Sequence, residues 1–378
     1  MPAMSSSPMP RTALLVLNFG GPETVDDVES FLLELFSDRD VIRMPFGDIL
    51  QRMLAHWIAP RRTREVLHQY EAIGGGSPLV AMSRRQLEGL ADRLRDRGHG
   101  AVSLHLGMRY TEPTIESAVD AALATGAERL VCLALYPHYS LATTGSSFNV
   151  VARQLALHRR LAMDVRHVPA FYRQEGYLEA LTDRVVQALR SADDEPRPHL
   201  LFSAHGVPAS YLKRRRDPYV TQVQETVSLI MPRVEAGLGH AVPYTLAWQS
   251  KVGPMRWVAP STETAIENLA GVGVKSLVVA PVSFVGDHLE TLYEIDHSYR
   301  KQAHSLGIRS FCRVAALDEH PRFLDGLADA VGPFLAPRIH GLCERCLHPI
   351  KTSHYLKFKC RDCRYRFPLW RTASCGGV

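Results

Sequence analysis

The sequence predicts an α/β protein in which two similar halves, each with a parallel sheet, face each other across a cleft. Apolar strands alternate with helical segments, a pattern typical of parallel βαβ units. The second half also repeats the first in order, because LLVLNFGGP at 14–22 matches LLFSAHGVP at 200–208, and GAERLVCLALYP from Gly126 matches GVKSLVVAPVSF from Gly273. The length of 378 residues is long for one core. A cleft between such halves is a usual ligand site.

The composition is that of an ordinary globular protein. Hydrophobic residues make up 46% and charged residues 22%, with a formal net charge of +5. No lysine and arginine block is long enough to indicate nucleic acid as a partner, and no apolar run approaches the roughly 18 residues of a membrane span. The polar, proline-bearing residues 1–10 do not resemble an export signal, which predicts a disordered N-terminus and a cytoplasmic protein.

The first predicted strand, Ala13 to Leu17, ends at a pair of glycines whose spacing is not GxGxxG, so a dinucleotide site is only weakly indicated. An amphipathic helix follows, with Ile49, Met53 and Trp57 in its apolar stripe. Most such stripes face a core, and a minority face a flat apolar ligand or a membrane surface.

Two arginines and a glycine-rich loop come next along the chain. Arg61 and Arg62 precede the GGGS run that ends at Ser77. Guanidinium groups and backbone donors of this kind can hold carboxylates or phosphates, and a surface loop is an equally good interpretation. The next strand, SLHLGMRY, ends at Arg109 and Tyr110, and a further strand ends at YPH before a run of small polar residues.

In the second half, His205 follows an apolar strand at the position where the first half carries Phe19. A histidine at the carboxyl end of a strand is a candidate base, because its pKa lies near neutrality. A histidine that only satisfies a backbone carbonyl is the alternative. The next strand ends at Trp248, Gln249 and Ser250, which we expect to face the same cleft.

The segment at 276–299, SLVVAPVSFVGDHLETLYEIDHSY, changes from a buried strand to an acidic helix. At helical spacing Asp287, Glu290 and Glu294 share one face, which predicts a row of three carboxylates beside His288. Like charges this close repel unless a cation or a shared proton separates them. The spacing fits metal or proton handling, and it also fits a capping box formed by Asp287 and Glu290.

The C-terminal segment has two CxxC pairs separated by thirteen residues: Cys343, Cys346, Cys360 and Cys363. This spacing predicts a tetrahedral four-thiolate site for zinc or an iron–sulfur cluster. A stretch of about 40 residues needs a stabilising element such as a bound metal in order to fold.

Six motifs, taken in order, resemble the ferrochelatase family, which inserts ferrous iron into protoporphyrin IX in the last step of haem synthesis: LNFGGPET, RRTREVLHQYEAIGGGSPL, YSLATTGSSFN, FSAHGVP, AWQSKVGPMRW and FVGDHLETLYEID. The resemblance runs from about Ala13 to about Phe334. It implies Rossmann-like domains at 11–170 and 171–318 and a helix at 319–338 that packs back on the core, before the metal-ribbon-like tail at 339–378.

The resemblance also implies roles for the candidate residues. His205 and Glu290 match catalytic residues on opposite sides of the macrocycle, which also contact the substrate iron, and Asp287, His288 and Glu294 match an acidic path leading to them. The family leaves open which residue takes the protons, and we favour His205. Eight residues match porphyrin-binding positions, three of them at the propionates (Arg62, Tyr70, Ser77) and five along the pocket (Phe19, Arg109, Tyr110, Trp248, Phe284).

Several features depart from the animal members of the family. Leu141 stands where these carry the first cysteine of a [2Fe–2S] cluster, and the tail spacing favours a zinc ribbon. Glu65 stands where a basic residue is expected near the propionates, which leaves protoporphyrin and coproporphyrin III both open as substrates. The apolar lip that ends at Trp57 implies peripheral contact with the inner face of the membrane or with the preceding oxidase. A non-catalytic haem- or porphyrin-binding protein is the alternative from another class.

Overall fold

The computed structural model describes residues 10–42, 47–160, 162–192, 197–214, 217–250 and 255–336. The four tail cysteines and nearly all of the predicted disordered N-terminus lie outside the described residues, so the predictions for both segments are not tested by the structure.

Two four-stranded parallel sheets form the centre of the molecule. The first has the order β2-β1-β3-β4 and the second the order β6-β5-β7-β8, so the second half repeats the topology of the first. This confirms the predicted α/β class and the internal repeat. The strands are β1 Thr12–Asn18, β2 Ser103–Met108, β3 Arg129–Ala134, β4 Asp164–His167, β5 His199–His205, β6 Tyr244–Gln249, β7 Ser276–Pro281 and β8 Ser310–Arg313.

Helices cover both faces of each sheet, as the apolar strands require. Every residue of β1, β3 and β7 is buried, which is typical of parallel strands covered on both sides. The α-helices are α1 Val28–Ser37, α2 Asp48–Ala72, α3 Leu79–Asp96, α4 Ile115–Ala124, α5 Ser146–Leu157, α6 Glu175–Ser191, α7 Ala209–Arg214, α8 Tyr219–Leu238, α9 Thr262–Gly271, α10 Arg300–Ser305 and α11 Pro321–Leu335. Two π-helices occupy Leu141–Gly145 and Glu290–Tyr299.

The largest hydrophobic core joins the two halves. Alternate residues of β1 point to opposite faces, so that Leu14 and Val16 enter this shared core while Leu15 enters a core of the first half alone. From the second half, β5 contributes Phe202 to the shared core, and α11 contributes Phe323. The two sheets are therefore held as one packed body, and the domain boundaries drawn from the sequence stay predictions. No helix within the described ranges has both the length and the hydropathy that a membrane span requires.

Candidate active site

The candidate active site lies at the carboxyl ends of the second sheet, where open parallel sheets bind their ligands. His205 is the last residue of β5 and pairs in register with Gln249, the last residue of β6. From the end of β7 the chain runs through Gly286 into the π-helix Glu290–Tyr299. Adjacent strand ends and the helix that follows therefore bring the imidazole and the acidic segment together, as the sequence predicted.

The centre of the site is a direct contact between His205 and Glu290. The His205 Nδ1 lies 2.8 Å from the Glu290 Oε2. Two groups in hydrogen-bond contact leave no room for a flat ring between them. The two side chains therefore form a hydrogen-bonded pair here, and their placement on opposite sides of a macrocycle stays a prediction.

Ser250 connects Glu290 to Glu294. Its Oγ lies 2.9 Å from the Glu290 Oε2 and 2.7 Å from the Glu294 Oε2. A hydroxyl carries one proton and can donate to only one of the two oxygens, so both contacts are hydrogen bonds only when one carboxyl is protonated. The Gln249 side chain donates to the Glu294 Oε2 at 3.3 Å and to the Glu290 carbonyl at 3.0 Å. Ser250 adopts a φ of 61°, a region that residues other than glycine seldom occupy.

Burial and mutual charge shift the pKa values of these groups in opposite directions. Burial lowers the pKa of His205, but the Glu290 carboxylate and its hydrogen bond raise it more, and the net shift is upward. The pKa of Glu290 lies below its usual range, because His205 and the Ser250 hydroxyl outweigh the effect of burial. Burial and the nearby Glu290 charge raise the pKa of Glu294 to about 7. At neutral pH the site therefore combines an ionised Glu290 with a Glu294 that exchanges its proton readily.

A closed ring of hydrogen bonds fixes the backbone of His205. The His205 N–H donates to the Ser283 Oγ at 2.9 Å, and the Tyr219 hydroxyl donates to the His205 carbonyl at 3.0 Å. Since the tyrosine proton is used in that bond, Ser283 donates to the Tyr219 hydroxyl at 2.7 Å. Sequence analysis missed both Ser283 and Tyr219, because only the folded chain brings them beside the strand end.

Phe284 and His288 border the imidazole. The rings of Phe284 and His288 have centroids 4.2 Å apart, and Phe284 lies edge-on to His205 at 6.3 Å. Burial lowers the pKa of His288, and the Glu290 charge only partly offsets this. His288 is therefore mainly neutral near pH 7, with its Nδ1 3.2 Å from the Gly286 carbonyl.

Asp287 does not join the carboxylate row that the spacing predicted. The helix begins after it, and its carboxylate faces Arg313 of β8, with the closest oxygen 2.6 Å from the guanidinium. Thr291 also donates to the same carboxylate at 2.8 Å. The row therefore contains Glu290 and Glu294 alone, and the capping box of Asp287 and Glu290 does not form.

The wall contributed by the first half is aromatic. Phe19, Phe31 and Tyr110 form a cluster of edge-to-face rings with centroids 4.8–6.2 Å apart. Next to this cluster Arg109 donates to the Asp38 carboxylate at 2.7 Å, and the Tyr110 hydroxyl donates to the same oxygen at 2.5 Å. The Asp38 side chain is 7% exposed and neutralises Arg109. Asp38, which follows α1, belongs to no periodic pattern that would have marked it in the sequence.

The remaining predicted residues have differing surroundings. Arg62 lies on the exposed surface of α2 and pairs with Glu65 at 2.7 Å. Tyr70 is buried, and both burial and the Glu290 charge raise the pKa of its hydroxyl, which indicates that it lies near the glutamate. Ser77 and Trp248 are buried, and Trp248 packs against Tyr219 in the shared core instead of lining an open surface. Among the described residues, no three histidines, cysteines or acidic residues are grouped in a way that could hold a metal ion.

This arrangement defines a class of protein: a two-sheet α/β enzyme with an acid–base pair at its strand ends and an aromatic cluster contributed by its first half. Comparison with known families then identifies the family. The family model described as Ferrochelatase matches residues 11–333. The chain belongs to the ferrochelatase family.

Cyanobacterial relatives named ferrochelatase cover most of the chain. The protein of Synechococcus sp. (strain CC9311) is 43% identical over 324 residues, 85% of this chain and 82% of that protein. The protein of Synechococcus elongatus (strain ATCC 33912 / PCC 7942 / FACHB-805) is 43% identical over 348 residues, 92% of this chain and 88% of that protein. Among solved structures, SirB from Bacillus subtilis with Fe3+ matches at 12% identity with a TM-score of 0.49, covering 86% of this chain and 96% of that chain.

The raised pKa of Glu294 predicts a pH-dependent difference in stability between the parent and Glu294→Gln. A carboxyl whose folded pKa exceeds its unfolded value stabilises the protein at low pH and loses that contribution as the pH rises through the folded pKa. We expect the parent to lose about 1–3 kcal/mol of unfolding free energy relative to Glu294→Gln between pH 4.5 and pH 8. Urea unfolding at each pH measures this, with Glu88→Gln on the exposed face of α3 as the control. A difference that grows in the opposite direction would contradict the assignment.

Proposed function

We propose that this chain inserts Fe2+ into protoporphyrin IX and releases two protons, forming protohaem as the terminal step of haem biosynthesis. The observation that carries the proposal is the continuous set of contacts His205–Glu290–Ser250–Glu294 at the strand ends, with successive distances of 2.8, 2.9 and 2.7 Å. Membership of the ferrochelatase family supports the same reaction.

We propose His205 as the acceptor of the pyrrole protons. Insertion displaces two N–H protons from the ring, so the site needs a base whose pKa lies near neutrality and a partner that stabilises the imidazolium. Glu290 supplies that partner, because its carboxylate raises the pKa of His205. A proton that reaches Glu290 can pass to Glu294 through the Ser250 hydroxyl by exchanging one O–H bond for another, which returns the base to its starting state.

The iron path that we propose comprises Glu290 and Glu294, with His205 and Glu290 as the groups that contact the ion at the ring. Imidazole and carboxylate ligands hold Fe2+ without the strong binding of thiolates, so the ion can be passed on. Asp287 is excluded from the open part of this path, since Arg313 and Thr291 already occupy its carboxylate. His288, which stays mainly neutral, would border the path without adding positive charge.

The first-half wall supports protoporphyrin IX over coproporphyrin III as the ring. Phe19, which packs on the buried rings of Phe31 and Tyr110, offers a partly exposed apolar side chain suited to vinyl groups, whereas coproporphyrin III carries two further carboxylates. Arg109, the cation of this wall, is neutralised by Asp38. We keep Arg62, Tyr70 and Ser77 as the proposed propionate contacts, and Trp248 and Phe284 as supporting residues of the pocket.

We also propose that the lip on α2 contacts the inner face of the membrane, from which the cytoplasmic protein would receive its apolar substrate. Ile49, Met53 and Trp57 are 82%, 64% and 60% exposed on this helix. The Arg61 guanidinium lies 3.8 Å from the centroid of the Trp57 ring. An exposed apolar stripe with basic neighbours suits an anionic lipid surface, and a contact with the preceding oxidase is the alternative occupant.

The reaction predicts severe losses when either group of the central pair is changed. In anaerobic assays with ferrous iron and protoporphyrin IX, we expect His205→Ala and Glu290→Gln each to lower kcat by roughly 10²–10⁴-fold, the range typical of general acid–base groups. Thr114→Ala, which removes the N-cap of α4 in the other half, controls for lost stability. If the folded parent binds the porphyrin and forms no haem, the chain is a binding protein and the proposed reaction is wrong.

The pairing of Asp38 with Arg109 predicts a change of substrate preference. Asp38→Asn frees the guanidinium for a substrate carboxylate, so we expect the ratio of kcat/KM for coproporphyrin III to that for protoporphyrin IX to rise by about tenfold, the value of one charge-assisted hydrogen bond. Asp120→Asn on the exposed surface of α4 serves as the matched control. An unchanged or lowered ratio would show that Arg109 does not face the differing carboxylates.

The paired CxxC spacing of the tail supports one structural zinc per chain as our proposal, with an iron–sulfur cluster as the alternative. Metal analysis and the absorption spectrum of the full-length protein separate the two. We expect a colourless protein with one zinc per chain, and loss of that zinc in Cys360→Ser. Visible charge-transfer bands would replace the zinc proposal with a cluster, and a sample without bound metal would contradict both.

A further inference from the structure

The π-helix Glu290–Tyr299 is attached to the neighbouring strand at two points by one side chain. Arg313, at the end of β8, contacts the Asp287 carboxylate at 2.6 and 3.4 Å just before the helix, and the Asp296 carboxylate at 2.7 Å within it. The Arg313 side chain is only 12% exposed. Arg300 holds the other oxygen of Asp296 at 2.9 Å.

This clamp, meaning Arg313 with Asp287 and Asp296, joins the segment just before the helix to a residue within it. Asp287 precedes the first helical residue, and Asp296 lies in the second half of the helix. One guanidinium therefore fixes the start of the helix relative to its later turn. Since π-helices are rare and mostly a single turn long, a π-helix of ten residues is stabilised by such a contact from outside its own hydrogen bonds.

The clamp acts next to the groups that carry the chemistry. The Asp287 carboxylate accepts a hydrogen bond from Thr291 at 2.8 Å, and the Thr291 Oγ1 in turn accepts from the His288 N–H at 3.0 Å. Thr291 is fully buried and adjoins Glu290 in the chain. A shift in the register of this segment would therefore move Glu290 away from His205.

We propose that Arg313 is a positioning residue for metal insertion, which through Asp287 and Asp296 holds the π-helical register that aims Glu290 and Glu294 at His205 and Ser250. This inference rests on the proposed function. On this proposal, Asp287 helps to hold the helix in position. Its carboxylate therefore faces Arg313 and not the cleft.

The inference is tested by comparing the effect of an Arg313 substitution on ferrous iron with its effect on protoporphyrin IX. We expect Arg313→Met to lower kcat/KM for ferrous iron by roughly 100-fold, the cost of a displacement of about 1 Å at a reacting group. The Kd for protoporphyrin IX, measured by fluorescence quenching, should stay within twofold of the parent. Arg313→Lys keeps the positive charge but lacks the planar guanidinium that contacts both carboxylates, so it should recover part of the loss.

The matched control is Arg129→Met. Arg129 is also a buried arginine in an ion pair, with Asp164 at 2.7 Å, but it lies at the amino end of the first sheet, away from the site. We expect this variant to lose stability without a change in kcat/KM for iron. A loss equal to that of Arg313→Met would show that lowered stability alone accounts for the effect.

Arg313→Met leaves the partly buried Asp287 carboxylate without its cation, which by itself can prevent folding. The charge-balanced double variant Asp287→Asn, Arg313→Met removes the clamp, while Asp296 keeps Arg300 as its partner. The double variant should fold and show the same loss for iron. Normal iron kinetics in the folded double variant would overturn the proposal.

Hydrogen exchange separates failure of this inference from failure of the proposed function. In the full-length parent, we expect the amides of residues 290–299 to be protected from exchange. In the double variant we expect that protection to fall by at least tenfold, while the amides of β5 keep theirs. Amide protection can be measured whether or not the protein inserts iron. Parent protein that fails to insert iron overturns the proposed function, whereas unchanged protection of the helix overturns the clamp.

Discussion

The hydrogen bond between His205 and Glu290 is the interaction on which the rest of the site depends. At 2.8 Å it couples an imidazole whose pKa is raised to a carboxylate whose pKa is lowered, so that each group stabilises the charged form of the other. Ser250 extends the same interaction to Glu294. The four groups therefore behave as one proton-sharing unit, and substitution of one member changes the ionisation of the others.

The fold holds this unit rigidly on one side and leaves it open on the other. His205 is fixed by the register of β5 and by the ring of hydrogen bonds through Ser283 and Tyr219. Glu290 is positioned by a π-helix. Arg313 of β8 holds this helix through Asp287, just before it, and through Asp296 within it. An aromatic cluster of the first half packs against Leu289, next to Glu290, and the shared core keeps the two halves in place. Such rigidity is what a positioned base and ligand pair requires.

Much of this could be predicted from the sequence, and the exceptions have physical reasons. The alternation of apolar strands and helices predicted the two parallel sheets, and the duplicated motifs placed His205 and the acidic segment at neighbouring strand ends. Helical spacing assumed 3.6 residues per turn, so it could not anticipate a π-helix or the diversion of Asp287 to Arg313. Asp38 and Ser283 belong to no periodic pattern, and their contacts depend on the tertiary fold.

The most direct test of the coupled unit is the pKa of His205 itself, measured by an NMR titration of its imidazole in the metal-free protein. We expect a value above the ordinary histidine pKa of about 6.5 in the parent. We expect a lower value in Glu290→Gln, because the carboxylate that raises the pKa of His205 most is then absent. A parent value at or below 6.5, unchanged by the substitution, would contradict the coupling and with it the assignment of His205 and Glu290 as a pair.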